Sequence, residues 1–219
     1  MMNSKRTIQL DSGESGEVFE VGSEPLCLEF VNTVEDRKGE NPYDWLSSYA
    51  NLAAWAHLAG LLSEEHTLAL LQKANEAPAA AKSVLRRALD LRDAIYRLVS
   101  AHAAREPMDE ADVSLLNREI PAAYQRQQLI PGDEHLAWFW PGDPAALDAF
   151  LGPVVRSAAD LLTSPDLERT GECANPTCGW LYLDTSKNHS RRWCDMSSCG
   201  NTAKARSFYQ RKRRGKAAR

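Results

Sequence analysis

The chain has 219 residues, of which 43% are hydrophobic, enough for one large domain or for a medium domain with a small appendage. No stretch approaches the roughly 20 consecutive apolar residues that a membrane helix needs, and the N-terminal sequence lacks the apolar core of a signal peptide. We therefore expect a cytoplasmic protein with reduced thiols and no membrane partner.

The formal net charge of −4 hides two regions of opposite charge. Positions 187–219 hold eleven Lys/Arg and one acid, a net charge of +10, whereas positions 1–186 hold 15 basic and 29 acidic residues, a net charge of −14. The basic segment is typical of a site for a polyanion, and we expect double-stranded DNA. A purely solubilising role is the alternative. The acidic body leaves self-association into a homo-oligomer open.

The first half of the chain predicts two short strands and then helices. Residues 1–16 are polar and rich in Gly and Ser, and we expect them to be flexible. Period-two alternation predicts strands at EVFEV and PLCLEFVNTV, with Cys27 as a core residue. Apolar residues then recur every three or four positions from Tyr43, which predicts a helix that ends near Gly60.

The middle of the chain predicts further helices. A long helix is predicted over about 82–104, with His102 as a core or capping residue, and a short one from Met108 to Ile120. The acids at 64–65 and among 109–112 are interpreted as solvated charges in first helical turns.

A hairpin and a last helix complete the predicted body. The Pro-Gly-Asp turn within 126–141 predicts a β-hairpin. Asp143 and Pro144 predict the start of a helix that Gly152 and Pro153 break or kink. The body is therefore predicted to be α+β, a helix-dominated domain with a few strands. It has no Gly-rich phosphate loop, nucleophile elbow or HExxH pair, and we expect no enzymatic activity.

Four cysteines form the most specific pattern in the chain, C-x4-C-x15-C-x4-C. They are Cys173, Cys178, Cys194 and Cys199. Two short-spaced thiol pairs separated by a hairpin-sized loop suit one tetrahedral Zn²⁺, so we expect one structural zinc. Burial as small hydrophobic side chains is one alternative, and disulfide bonds, which need an oxidising compartment, are the other.

The residues around these cysteines predict a small treble-clef-like module with a basic C-terminal helix, although a zinc ribbon is an alternative. Pro176 and Gly179 favour a tight turn at the first pair. WLYLDT is predicted to be a strand paired with residues just before Trp193. Asp195 is a predicted N-cap, and Cys199 falls in the opening turn of the helix that follows.

Helical spacing divides the final segment into two faces. Ala205, Phe208 and Tyr209 fall on one side, which we expect to pack against the hairpin of the module. Cations on the opposite arc and on the hairpin are candidate nucleic-acid contacts. They are Arg191, Arg192, Lys204, Arg206, Arg211, Arg213 and Arg214.

The segment RRWCDMSSCGNTAKARSFYQRKR resembles the CGNR zinc finger, and LCLEFVNTV and PVVRSAADLLTSPDL resemble the ABATE domain that precedes it. The resemblance implies a stress-induced bacterial transcription regulator, with zinc on the four cysteines and DNA on the finger. It divides the chain into a flexible N-terminus (1–16), an ABATE-like domain (17–166), the finger (167–215) and a flexible tail (216–219). The signature arginine after Cys-Gly-Asn is Thr202 here, and Arg206 is a candidate substitute.

The leading hypothesis is a zinc-dependent, DNA-binding transcription regulator, and the alternative is a zinc adaptor for RNA or a protein partner. A metal hydrolase is not favoured, because four thiolates close the coordination shell and only His189 lies nearby. A thiol-redox sensor is a further alternative, which zinc release on mild oxidation would indicate. Asn32, Trp138 and Trp140 are candidates for lining the pocket of a small-molecule effector. Core packing and a turn are their alternative roles.

Overall fold

The structure is a computed structural model, and it describes residues 6–9, 18–22, 24–140, 146–206 and 209. In this part of the chain the α-helices are α1 Leu26–Val31, α2 Tyr49–Leu58, α3 Glu64–Glu76, α4 Pro78–Ala104, α5 Glu110–Gln125 and α6 Leu151–Leu162. The strands form antiparallel pairs: β1 Arg6–Gln9 with β2 Val18–Val21, β3 Val34–Glu35 with β4 Tyr43–Asp44, β5 Gln128–Pro131 with β6 Leu136–Phe139, and β7 Thr170–Glu172 with β8 Leu181–Leu183. The predicted helix-dominated α+β class is confirmed.

Helix α1 forms where the sequence predicted a strand, so that prediction is wrong. The helix packs between α4 and α6 and also contacts β8, and all of its residues from Cys27 to Val31 are buried. Because α1 is enclosed on every side, it has no exposed polar face to mark a helical period, and the alternation of a run this short does not separate a helix from a strand. Cys27 is fully buried, as predicted, and its backbone N–H donates to Ser157 Oγ at 3.0 Å.

Serine caps fix the start of the next two helices. The Ser48 and Ser63 side chains accept hydrogen bonds from backbone N–H groups in the first turns of α2 and α3. Helix α2 begins at Tyr49 rather than at the predicted Tyr43, because Tyr43 pairs with β3 as part of β4. It ends just before Gly60, whose φ of 77° suits a glycine at a helix end, as predicted.

Helices α4 and α5 lie side by side, and an ion pair joins them. Asp109 caps α5 and accepts from the N–H of Ala111 at 2.8 Å, so the helix begins at Glu110 rather than at the predicted Met108. Asp112 is not the solvated charge that we expected, because it is buried and its two oxygens accept from Arg97 at 2.8 and 2.5 Å. His102 is half-buried near the end of α4, with Nε2 3.6 Å from a Glu168 oxygen.

The predicted hairpin is confirmed as β5 and β6, and every residue of these strands is exposed. Asp143 and Pro144, the predicted helix start, lie outside the described residues. Gly152 and Pro153 do not interrupt a helix but form the first turn of α6. A Cβ on Gly152 would lie 3.0 Å from Trp140 Cδ1, so the glycine allows the indole ring to rest on the helix.

Near the N-terminus, β1 lies within the segment 1–16 that was predicted to be flexible, and it pairs with β2. The strand predicted at EVFEV is present as β2. Among the described residues, no helix combines the length and the apolar character needed to cross a bilayer.

Candidate metal centre

The four predicted cysteine ligands converge at one point. Their Sγ atoms all lie within 4.8 Å of one another, and those of Cys178 and Cys194 are 3.7 Å apart. Zinc–sulfur bonds of about 2.3 Å place the sulfurs of a tetrahedral site about 3.8 Å apart. All four residues are free thiols, so the disulfide alternative does not describe this structure. The cluster therefore fits one zinc ion with a closed thiolate shell.

The first ligand pair lies on a tight turn between β7 and β8. The backbone N–H of Cys173 donates to the carbonyl of Trp180 at 2.8 Å, and that of Cys178 donates to the carbonyl of Asn175 at 3.0 Å. Gly179 follows with a φ of 72°, a left-handed conformation that favours glycine. This turn directs both sulfurs to the same side of the hairpin.

The second pair lies at the start of a helical segment. Asp195 accepts from the N–H of Ser197 and caps a π-helical turn over Met196–Gly200, as predicted for the N-cap. Cys194 precedes the turn and Cys199 lies within it, and helical residues 201–206 follow. The last ligand is thus supplied by the opening turn of a helix, as in a treble-clef-like module.

The predicted partner of the WLYLDT strand is wrong. Strand β8 pairs with β7, which precedes the first cysteine, rather than with residues just before Trp193. Side chains hold the segment just before Trp193 in place instead. The Tyr182 hydroxyl donates to the carbonyl of Arg191 at 2.7 Å, and Asp184 accepts from the N–H of Arg191 at 2.9 Å.

The clustered cysteines perturb one another's pKa values. A hydrogen bond with Cys194 lowers the pKa of Cys178 to about 6, against the opposing effect of burial. The same bond and burial raise the pKa of Cys194, and burial raises the pKa of Cys199 to about 11. Zinc binds thiolates, so loading the site releases the protons that these thiols hold.

A chain of hydrogen bonds links the fourth ligand to the basic helical segment. The Asn175 side chain donates Nδ2–H to Cys199 Sγ at 3.4 Å, and its Oδ1 accepts from Arg206 Nη1 at 3.1 Å. Asn175 is therefore an outer-shell residue of the metal site. This role was not predicted from the sequence, although the position of Asn175 inside the C-x4-C loop was a signal.

Arg191, a predicted nucleic-acid contact, makes structural contacts within the finger and with the body. Its guanidinium lies 4.6 Å from the centre of the Tyr182 ring and 2.7 Å from Glu24 Oε1. It also donates to the carbonyls of Leu183 and Trp193, both at 3.1 Å. These contacts give Arg191 a structural role in the finger, and its contact with nucleic acid stays a prediction.

The other predicted cations lie on the surface or outside the described residues. Arg192 is exposed and its guanidinium lies 5.5 Å from the centre of the Trp193 ring. Lys204 and Arg206 are exposed on helical residues 201–206. The remaining candidates fall outside the described part of the chain: Arg211, Arg213 and Arg214.

The predicted packing face of this helical segment is not what the structure shows. Ala205 is exposed and Tyr209 is 64% exposed, while Phe208 lies outside the described residues. Thr202, at the position of the family's signature arginine, is also exposed, and its hydroxyl donates to the carbonyl of Ser198 at 3.0 Å. His189 lies in an exposed turn and does not join the sulfur cluster.

The structure brings together two of the three predicted pocket residues. Trp138 and Trp140 line an open groove of about 590 Å³ that Leu26 and Leu161 also border. Asn32 lies elsewhere, because its side-chain amide is buried against the backbone of Leu181. A pocket lined by all three residues is therefore corrected to a groove that contains the two tryptophans.

Further contacts join the body to the finger. Trp180 donates its indole N–H to the carbonyl of Val34, and the N–H of Leu183 donates to Glu24, both at 2.8 Å. The partners are far apart in sequence, and no local pattern marks them. They hold β8 of the finger against the body.

Two family profiles match the chain. Residues 24–165 match ABATE, described as "Putative stress-induced transcription regulator", and residues 169–212 match the CGNR zinc finger. No curated protein matches it. The first match covers more than half of the chain, and the second includes all four clustered sulfurs. The chain therefore belongs to the ABATE family and carries a CGNR zinc finger that binds one structural zinc.

Proposed function

We propose that this protein is a cytoplasmic transcription regulator that binds double-stranded DNA through the basic surface of its zinc finger. The single observation that carries the proposal is the position of Arg192, Lys204 and Arg206, which are exposed on the segments that supply the last two zinc ligands. The family description supports a regulatory role.

The zinc site gives these cations a fixed geometry. A module with strands of three residues has too small an apolar core to be stable alone, so bound metal supplies much of its folding free energy. Cations held by such a module can contact successive phosphates, and each contact releases counterions from the DNA. We expect affinity for duplex DNA to fall steeply as the salt concentration rises.

We propose no catalytic role for the zinc. A hydrolytic zinc site keeps one coordination position open for water, whereas four thiolates fill a tetrahedral shell. The metal then acts through structure, as the support of the basic surface.

A salt titration of duplex binding tests the proposal. Fluorescence anisotropy of a labelled duplex is measured with the zinc-loaded full chain, with Arg192→Gln and with Lys204→Gln. Each substitution is expected to reduce the slope of log affinity against log salt by about 1. Lys82→Gln is the matched control, because Lys82 is exposed on α4 and its substitution removes the same charge. Slopes that are equal in all four proteins contradict the proposal.

A zinc adaptor for a protein partner is the second candidate function, and the exposed β5–β6 hairpin favours it. Leu136 is 66% exposed, Leu129 52% and Trp138 50%. Apolar side chains concentrated on one exposed element mark surfaces for partner proteins or for a second copy of the chain. Preference for single-stranded RNA over duplex DNA in the same titration would favour the RNA-binding form of the adaptor.

A further inference from the structure

A turn of the ABATE body directly contacts the first zinc knuckle, the turn at residues 173–179 that carries Cys173 and Cys178. The backbone N–H of Arg37 donates to the carbonyl of Cys178 at 3.1 Å, and that of Lys38 donates to the carbonyl of Thr177 at 3.0 Å. In the opposite direction, the Thr177 hydroxyl donates to Asp36 Oδ1 at 2.8 Å. Three hydrogen bonds therefore hold a zinc ligand and the residue before it against the body.

The turn is built to keep its shape. Asp36 has a φ of 44°, a left-handed conformation that is uncommon for a residue with a side chain, and its carbonyl accepts from the N–H of Gly39 at 2.6 Å. The Arg37 guanidinium anchors the turn in the body, where it lies 4.2 Å from the centre of the Tyr96 ring and donates to the carbonyl of Val31 at 3.0 Å. Backbone strain of this kind persists only where the surroundings enforce it.

Gly179 of the knuckle lies in close contact with this turn. A Cβ on Gly179 would lie 3.1 Å from Arg37 Cβ and 3.3 Å from Lys38 Cγ. Glycine at this position therefore allows both the positive φ of the backbone and the close approach of the body. Lys38 also forms an ion pair with Glu172, the residue immediately before the first zinc ligand. Glu172 in turn accepts a hydrogen bond from the hydroxyl of Ser100 on α4 at 2.9 Å.

We propose that the turn at Asp36, Arg37 and Lys38 is a positioning element of the zinc site, supplied by the ABATE body rather than by the finger. Its hydrogen bonds hold the knuckle in the conformation that presents Cys173 and Cys178 to the metal. The outer-shell partners of a metal ligand set its orientation and contribute to metal affinity.

The coupling works in both directions. If the body strengthens zinc binding, then zinc stabilises the folded body by the same free energy, because linkage between two equilibria is reciprocal. Zinc occupancy is thereby transmitted to α4, which carries Tyr96 and Ser100. This inference depends on the metal site alone and holds whether or not the finger binds DNA.

The test measures zinc affinity of the full chain by competition with a chromophoric chelator. Lys38→Pro removes the N–H that donates to Thr177, and Lys38→Ala is its matched control, because it keeps that N–H and loses the ion pair. We expect Lys38→Pro to bind zinc about 10-fold more weakly than Lys38→Ala. Equal affinities of these two folded variants would overturn the role of the Lys38 amide.

A second pair of variants is independent of proline. Asp36→Ala removes the acceptor of the Thr177 hydroxyl, and we expect a loss of about 10-fold in zinc affinity. Asp36→Asn should restore most of it, because asparagine offers an acceptor oxygen and tolerates a positive φ. Cobalt-loaded Asp36→Ala should also show altered thiolate-to-metal absorption bands.

A destabilising variant away from the turn separates positioning from general stability. Asp112→Asn weakens the pair between α4 and α5, and we expect it to lower the free energy of unfolding while zinc affinity stays within about twofold of wild type. The proposal is overturned if Asp36→Ala binds zinc as tightly as wild type, or if Asp112→Asn weakens zinc binding as much as Asp36→Ala does.

Discussion

The side-chain amide of Asn32 forms two hydrogen bonds with the backbone of Leu181, one in each direction. Asn32 Nδ2 donates to the Leu181 carbonyl at 2.8 Å, and the Leu181 N–H donates to Asn32 Oδ1 at 2.9 Å. Both residues are buried. Asn32 lies at the end of α1 and Leu181 begins β8, so this pair joins the core of the body to the strand that follows the zinc knuckle.

Replacing Asn32 should destabilise the protein strongly. Asn32→Leu leaves the N–H and the carbonyl of Leu181 buried without these partners, and each unsatisfied group costs about 1–3 kcal/mol. We expect a loss of about 2–4 kcal/mol in the free energy of unfolding, measured by denaturant titration of the zinc-loaded chain. Asn51→Ala, which removes a hydrogen bond to Ser47 on the surface, is the control and should change it by less than about 0.5 kcal/mol. Similar losses in both variants would contradict the role of the pair.

A second prediction concerns Asp44, which accepts two hydrogen bonds from buried Arg92 at 2.7 and 2.8 Å. Burial alone would raise the pKa of Asp44, but these bonds and the guanidinium charge outweigh it and hold the pKa below its ordinary value of 3.8. A carboxylate with a depressed pKa in the folded state stabilises the fold above its unfolded pKa, and this contribution is lost as the pH falls through the folded value.

Asp44→Asn should therefore lower the free energy of unfolding at neutral pH by about 1–3 kcal/mol, and less so in acid. The difference from wild type should shrink as the pH falls below about 4, because the Asp44 carboxyl group of the unfolded chain then binds a proton while the folded one still resists protonation, and it should vanish once the pH passes the folded pKa. Denaturant titrations at a series of pH values measure this difference. A difference that stays constant from neutral pH to pH 3 would show that the Asp44 charge does not contribute.

Asn175 should contribute to zinc affinity through its hydrogen bond to the Cys199 sulfur. Asn175→Ala removes this donor, and we expect zinc to bind about 10-fold more weakly in chelator competition. Asn201→Ala is the control, because the Asn201 amide donates to the carbonyl of Ser197 on the exposed side of the turn. If both variants bind zinc like wild type, the hydrogen bond to sulfur has no energetic role.

Thr202 offers a test of the proposed DNA surface by gain of function. It lies four residues before Arg206, so both side chains fall on the same face of the helical segment. Thr202→Arg adds a cation to that face, and we expect the salt dependence of duplex binding to steepen by about 1 in log–log slope. Thr202→Gln adds length without charge and should leave the slope unchanged. An unchanged slope in Thr202→Arg would place that face away from the DNA.

Local sequence signals predicted the metal site well. The spacing of Cys173, Cys178, Cys194 and Cys199 was sufficient because the ligands lie within two short turns, where the chain has few ways to present them. The β5–β6 hairpin was predicted for the same reason, since its Pro-Gly-Asp turn acts locally. Asp195 was likewise predicted as an N-cap, because a cap bonds to a backbone N–H within its own first turn.

Contacts between distant segments were not predictable from one sequence. The segment Leu26–Val31 was predicted to be a strand from its local alternation. The sequence pattern does not reveal that α4, α6 and β8 surround this segment and bury it as a helix. The structural contacts of Arg191 were not predicted, because its partners, among them Glu24 and Leu183, are set by tertiary structure. The pairing of Asn32 with Leu181 spans most of the chain and leaves no periodic signal.

The most direct test of the central claim is the zinc content of the purified full chain, compared with that of a Cys173→Ser, Cys199→Ser variant prepared in the same way. A single zinc held by four thiolates predicts one zinc per wild-type chain, its loss from the variant, and a lower free energy of unfolding when a chelator removes it from the wild type. A wild-type chain that is folded without zinc and unaffected by the chelator would contradict the claim.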